Sequence, residues 1–221
     1  MNSMAMATKV ADIYLAGQFK EQPNTAAATS PSANHELAQF AGAYWSAETG
    51  AFRRFSVEKG KPIMTGPGIS SEMVRVDKST FAYSSGDSEN KGRYTFWRAN
   101  PESPYRLEML EPGRAPVSYQ AGGPASARDR LSDYVGTYTN DELRSTWKLV
   151  VKDGKLIRQQ WMNEDQELLP AFADGFIGDL SEGQYVLHFN RGAQGRVTSF
   201  NVSNDMRYPM RFVKSRKAGD N

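Results

Sequence analysis

Apolar and polar residues alternate with a period of two over most of the chain beyond residue 50, the pattern of half-buried β-strands. "TWKLVVKDGKLIRQQW" (146–161) is two alternating runs about Asp153-Gly154, which predicts a hairpin with a tight turn. "RRFSVEKGKPIM" (53–64) has the same form about Lys59-Gly60. "QYVLHFNRGAQGRVTSFNVS" (184–203) predicts a second hairpin turning in "RGAQG", and "MRYPMRFVKS" (206–215) a last strand. Helical spacing is confined to three pieces. Residues 8–20, "TKVADIYLAGQFK", can be capped by Thr8 and place Val10, Ile13, Tyr14 and Gly17 on one stripe. "HELAQFAG" and "RDRLSDYVG" each set two apolar residues three apart before a glycine, Gly42 or Gly136, expected to stop the turn at positive φ.

The second and third of those pieces open a repeat. With Leu37 set on Leu131, Gly42 falls on Gly136, Tyr44 on Tyr138, Glu48 on Glu142, Val57 on Val151, Gly60 on Gly154, Lys61 on Lys155 and Ile63 on Ile157. Further on, "YTFWR" (94–98) matches "LHFNR" (187–191). The fold expected is all-β: two tandem small antiparallel barrels preceded by one N-terminal α-helix. The boundaries are a helix in 1–20, a linker over 21–34 rich in Ala, Ser, Thr, Asn and Pro, barrel one over 35–120, a Gly/Pro/Ala/Ser linker over 121–128, and barrel two over 129–217. The helix 8–20 has an apolar stripe and is cut off by a linker. It wants a partner, either outside this chain or on a barrel downstream.

Composition narrows the classes. The 221 residues carry a net charge of +2 with charges scattered, so a nucleic-acid interface is not expected. The basic cluster Arg207, Arg211, Lys214, Arg216 and Lys217 reads as a solvated C-terminal tail. The chain has no cysteine, which excludes disulfides, thiolate metal sites and a cysteine nucleophile. No apolar run reaches the roughly 18 residues of a membrane helix, so no membrane span is expected. Lys9 and Asp12 interrupt the N-terminus, which does not read as a signal peptide.

Candidate chemistry is sparse. Ser56 to Lys59 is a Ser-x-x-Lys, and Tyr138 to Asn140 a Tyr-x-Asn, the forms used by penicillin-binding proteins and serine β-lactamases. That mechanism needs serine and lysine one helical turn apart. Here they sit on an alternating strand, where Ser56 and Glu58 face one side and positions i and i+3 face opposite sides, so Lys59 does not serve Ser56. His35 is expected exposed and His188 on the strand face opposite Tyr185, Leu187 and Phe189. Two distant histidines make no dense metal cluster. Glu164/Asp165 and Asp141/Glu142 read as solvated turn charges. Trp45, Trp97, Trp147, Trp161, Tyr44 and Tyr138 either fill the barrels or line a site for an apolar ligand, and the small barrel size favours filling. No catalytic, cofactor-binding or metal residue and no cofactor is assigned, and no ligand-binding residue is identified.

The second copy resembles the lipocalin-like C-terminal domain of β-lactamase-related and penicillin-binding-protein-like serine hydrolases. The residues that carry the likeness are Leu131/Tyr134/Gly136/Tyr138, Asp153/Gly154/Lys155/Leu156, Leu168/Pro170 and Gly195/Arg196/Val197/Thr198. It covers 129–214; the first copy keeps Leu37/Phe40/Gly42/Tyr44 and Gly60/Lys61. Residues 10–19 resemble the last helix of those hydrolase domains. The resemblance implies lipocalin-like barrels and a bacterial, non-catalytic accessory region. Its partner is a serine hydrolase catalytic domain, in cis upstream or in trans, and its roles are shaping substrate access, orienting that domain or self-association. The chain by itself is then not an enzyme, and it would be periplasmic or secreted if its hydrolase is exported. The alternative is a free-standing lipocalin-like binder of a small apolar or peptide ligand.

Overall fold

The structure is a computed structural model and describes residues 31–84, 91–126, 128–159, 164–180, 183–204 and 207–215. The expected helix 8–20 and Trp161 lie outside the described residues. A short helix α1 (Pro31–Ala38) leads into nine strands: β1 (Gly42–Trp45), β2 (Phe52–Glu58), β3 (Lys61–Gly66), β4 (Ile69–Glu72), β5 (Val74–Arg75), β6 (Thr80–Ser84), β7 (Lys91–Trp97), β8 (Arg106–Leu110) and β9 (Val117–Ala121). They form one antiparallel sheet in the order β4-β3-β2-β1-β9-β8-β7-β6-β5, which nearly closes into a barrel. Its two ends, β4 and β5, are joined through the buried Met73, whose N–H donates to the Pro62 carbonyl.

A 3₁₀ turn (Arg128–Tyr134) then precedes β10 (Gly136–Asn140), β11 (Ser145–Lys152), β12 (Lys155–Gln159), β13 (Gln166–Phe172), β14 (Gly175–Leu180), β15 (Gly183–Arg191), β16 (Val197–Asn204) and β17 (Arg207–Lys214). These close completely, with Tyr138 of β10 opposite Lys214 of β17. The basic residues Arg207, Arg211 and Lys214 are therefore not a tail. Arg211 and Val213 are exposed, Phe212 between them enters the core, and the strand supplies the closing ladder.

The two barrels match ladder for ladder. Tyr44 faces Arg53 as Tyr138 faces Trp147, and Phe55 faces Met64 as Leu149 faces Arg158. On the other side Phe96 faces Leu107 as Phe189 faces Phe200, and Leu107 faces Tyr119 as Phe200 faces Phe212. Each hairpin turns where the sequence indicates, with two consecutive positive φ values: Lys59 (51°) and Gly60 (80°), then Asp153 (53°) and Gly154 (70°). That backbone matches the right-handed twist of the flanking strands.

A turn of helix plugs one end of each barrel. Leu37 and Phe40 enter the first core, Leu131 and Tyr134 the second. The plug is pinned from inside: the Tyr44 hydroxyl donates to the Phe40 carbonyl and the Tyr138 hydroxyl to that of Tyr134, both at 2.8 Å. Burial pushes both phenols far above their ordinary range. Gly42 and Gly136 have the expected positive φ, 157° each, but each is the first residue of a strand and neither is a left-handed helix cap. A further difference is that α1 starts at Pro31, inside the span expected to be linker.

Candidate functional site

Three groupings of side chains merit attention: the joint between the barrels, the plugged ends and the interiors.

The joint is built from strand faces that point away from both cores. Tyr44, Arg53 and Phe55 point into barrel one, so Trp45, Phe52 and Arg54 point out. Tyr185, Leu187 and Phe189 point into barrel two, so Val186 and His188 point out. These outer faces meet. The Trp45 indole stacks on the His188 imidazole at 3.9 Å, and Phe172 lies parallel to Phe52 at 5.3 Å. Phe52, Ala171, Phe172 and Val186 are buried there as a third apolar cluster. Polar contacts lock the register: Arg54 donates to the Ala171 carbonyl at 2.7 Å and the Ser203 hydroxyl to the Gly50 carbonyl at 2.7 Å. The start of the expected linker 121–128 is part of this joint. The Gly122 N–H donates to Ala43, and the Gly122 carbonyl accepts from the Ala173 N–H, so the chain between the barrels extends both hydrogen-bond systems. A Cβ on Gly122 would lie 2.7 Å from the Phe172 Cβ, which explains the glycine. Burial lowers the His188 pKa from the ordinary imidazole value, partly opposed by the Asp174 carboxylate.

The plugged end of barrel two carries a charged network. The Arg191 guanidinium donates to both Asp174 oxygens at 2.8–3.0 Å, to Asp133 at 3.1 Å and to the Gly195 carbonyl at 2.8 Å. The Tyr134 hydroxyl donates to Asp174 at 2.6 Å and shares a 2.7 Å hydrogen bond with the Ser126 hydroxyl. Burial pushes the Asp174 carboxyl up, but the hydrogen bonds from Arg191 and Tyr134 outweigh it and hold the carboxyl below its ordinary range. Every member is satisfied by another, which makes the network a clasp across the barrel end. In barrel one the matching arginine, Arg98, lies 4.7 Å over Tyr105 and donates to the Pro101 carbonyl.

The interiors hold interlocked rings and one buried guanidinium each. Arg53, 4% exposed, donates to the Tyr94 hydroxyl at 3.0 Å and to the Phe52 carbonyl at 2.8 Å. Arg158, 8% exposed, lies 3.4 Å over the Trp147 ring, beside the Tyr185–Gln166 hydrogen bond of 2.6 Å. Trp147, Phe200 and Phe212 pack within 4.9–5.4 Å of one another.

The residues singled out in the sequence disperse over this framework. Ser56 lies on the outer face of β2, where its hydroxyl donates to Glu58 at 3.2 Å, and Lys59 sits in the following turn. Tyr138 is buried and Asn140 donates to the Arg211 carbonyl at 2.9 Å. His35 is exposed on α1. Asp141, Glu142, Glu164 and Asp165 are exposed, and Lys152 approaches Asp165 at 3.9 Å. Among the described residues no three His, Cys, Asp or Glu side chains converge, and no helix is long and apolar enough to cross a membrane. Core filling holds for Tyr44, Tyr138 and Trp147 but not for Trp45, which is in the joint, or Trp97, which is 44% exposed. Alternation signals both exceptions, since Trp45 follows the inward Tyr44 and Trp97 the inward Phe96. The clasp was not seen in the sequence. The match of Arg98 to Arg191 marks its cation, but nothing local marks Asp174 as the partner.

No family model and no curated protein matches the chain. Among solved structures it is similar to a protein of unknown function of the DUF3598 family from Nostoc punctiforme, at 10% identity and a TM-score of 0.21, over 81% of this chain and 98% of that one. At that TM-score the likeness bears on neither fold nor function.

Proposed function

We propose that this chain is the non-catalytic accessory region of a β-lactamase-related serine hydrolase, two tandem lipocalin-like barrels that act as one rigid body to orient the catalytic domain or shape access to it. The observation that carries this reading is the joint. An aromatic stack, a buried apolar cluster and a hydrogen-bonded linker fix one barrel on the other, and such fixation suits a part whose work is positional. The interiors add support, because interlocked aromatic rings occupy them. The residues that carry the family likeness also have architectural work here: Leu131 and Tyr134 plug, Tyr138 pins, Asp153-Gly154 turns.

The test is to read the coding sequence upstream of and beside the chain, then assay the hydrolase found there with and without residues 21–221. A domain with Ser-x-x-Lys on a helix is expected, with kcat or KM changing severalfold when the barrels are removed. A genome with no such domain in either place, or a hydrolase indifferent to the barrels, overturns the proposal. The rival reading, a free-standing binder, predicts that palmitate or an apolar dye parts the rings around Trp147. A titration that leaves Trp147 emission unchanged speaks against it.

A further inference from the structure

Ala173 and Asp174 form the two-residue turn between β13 and β14, and three parts of the chain hold that turn at once. Barrel one holds its flank: Arg54 donates to the Ala171 carbonyl at 2.7 Å, and the Phe172 ring stacks on Phe52 at 5.3 Å and on Trp45 at 5.9 Å. The chain between the barrels holds its backbone. The Ala173 N–H donates to the Gly122 carbonyl at 3.0 Å and the Asp174 N–H to the Ser126 hydroxyl at 3.2 Å. The plug of barrel two holds its side chain, because the Asp174 carboxylate accepts from the Tyr134 hydroxyl at 2.6 Å and from Arg191, which also reaches Asp133. Ser126 completes the circuit, since its hydroxyl meets that of Tyr134 at 2.7 Å. The turn cannot serve these partners separately. Asp174 sits in the left-handed region at φ 56°, its carbonyl accepts from the Phe189 N–H at 2.8 Å, and the Phe172 ring fills the space that a Cβ on Gly175 would need. A displacement of about 1 Å away from barrel one is enough to lose the hydrogen bonds on Tyr134. Tyr134 is 1% exposed between Phe176 and Phe189, where a phenol stripped of partners is costly.

Barrel one supplies the contrast. Its plug is tied by Tyr105 to Gln39 at 2.9 Å and by Arg75 to Glu36 at 3.0 Å, exposed contacts within that barrel, and Ser79 stands where barrel two has Asp174. The clasp thus occurs on the barrel whose turn another barrel covers. We propose that barrel one latches the plug of barrel two: docking at the joint and closure of the 3₁₀ turn Arg128–Tyr134 are one cooperative event, transmitted by the turn Ala173-Asp174. Undocking frees the Tyr134 end of barrel two, and loosening that end weakens the joint, because such coupling is reciprocal. The opening is local, with both barrels otherwise folded. What the pair then controls is access to the interior of barrel two. The inference stands on this chain's own contacts and does not depend on the hydrolase reading.

Amide hydrogen exchange read residue by residue by NMR on the full chain tests it. Trp45→Ala combined with Arg54→Ala removes the barrel-one side of the joint, and both side chains point away from the core of barrel one. The Ala173 amide, which bridges the barrels, and the Val135 amide, which donates to Ser132 in the plug, are both expected to exchange about tenfold faster, a usual size for coupling between sites. The Phe40 and Ala41 amides of the other plug should keep their rates. In the reverse direction Tyr134→Phe should speed Ala173 by a similar factor. Faster exchange at Ala173 with Val135 unchanged overturns the proposal, because the joint then opens with the plug shut. Both rates unchanged overturn it as well, since the named contacts then do not hold the turn. Equal acceleration of Phe40 and Val135 overturns it in favour of general destabilisation, and an Ala173 rate unmoved by Tyr134→Phe removes the reciprocity it requires.

Discussion

Barrel one holds its buried guanidinium on β2, at Arg53; barrel two holds it on the next strand, at Arg158 of β12. The counterpart of Arg53 in the ladder is Trp147, and the counterpart of Arg158 is Met64. Cation and apolar side chain have exchanged strands, and the layer keeps one guanidinium flanked by aromatic rings in either arrangement. The plugged ends differ in kind. Phe96 and Phe189 are matched, and their N–H groups donate to Ser79 and Asp174 respectively, both at 2.8 Å. Serine in that position leaves Arg98 to stack on Tyr105, whereas aspartate gathers Arg191, Tyr134 and, through Arg191, Asp133. One backbone plan therefore accepts different chemistry wherever total volume and hydrogen bonding are satisfied locally.

The exchange of strands can be broken first. Trp147→Arg sets a second cation beside Arg158 and should cost about 4 kcal/mol, the scale of an uncompensated buried charge. Adding Arg158→Met rebuilds the arrangement of barrel one and should recover at least about 1.5 kcal/mol, a coupling measurable in a double-mutant cycle of urea unfolding. Purely additive losses would show that the two layers are not equivalent. The clasp comes next. Arg191→Met should cost about 2 kcal/mol, below the value for a fully buried pair because the side chains stay 21% and 27% exposed, whereas Arg98→Met should cost under about 1 kcal/mol. Equal shifts in urea midpoint would remove the distinction drawn between the ends.

Acid sharpens the joint. His188 has a lowered pKa in the folded chain, so below about pH 6.5 the unfolded chain binds the extra proton. Its contribution is complete above that pH and is lost as pH falls toward the folded value, by at most about 1.4 kcal/mol per pH unit. Unfolding at pH 7.5 and 5.5 should show this loss in the wild type and a flatter profile in His188→Phe. The smallest effect should be the same in both barrels. Gly60→Ala and Gly154→Ala each force a Cβ into a left-handed turn, at about 1 kcal/mol apiece. A loss twice as large in one as in the other would mean that the hairpins are not interchangeable.

Much of the architecture was legible because it is local. Two-residue turns at Lys59-Gly60 and Asp153-Gly154 fix hairpin register, and alternation then assigns every side chain to a face, His188 included. What was not legible is long-range. The Gly/Pro/Ala/Ser composition of 121–128 reads as a linker, yet Gly122 is glycine because Phe172, fifty residues on, occupies the space of its Cβ. Gly42 and Gly136 read as helix stops; two apolar residues three apart suit the end of a helix and the plug of a barrel equally well, and the glycines open strands instead. Of the candidate site, the outward placement of Ser56 followed from strand parity, while the clasp and the joint needed three dimensions.

The joint has a direction. It pairs unlike faces, the β1–β2 side of one barrel and the β13–β15 side of the next, and an association of that kind does not close on itself. Repeated between molecules it would polymerise. The face of barrel two that corresponds to β1–β2 carries Thr139 where barrel one has Trp45, Thr146 where it has Phe52 and Lys148 where it has Arg54, with Thr146 and Lys148 exposed. This face lacks the two rings that barrel one brings to the joint, and its exposed apolar residue beside Thr139 is the smaller Val213. Threonine at those two positions thus works against a repeat of the joint on this face, in the way polar outer faces cap solenoids. Restoring the rings with Thr139→Trp and Thr146→Phe is the change that would turn this domain pair toward filaments.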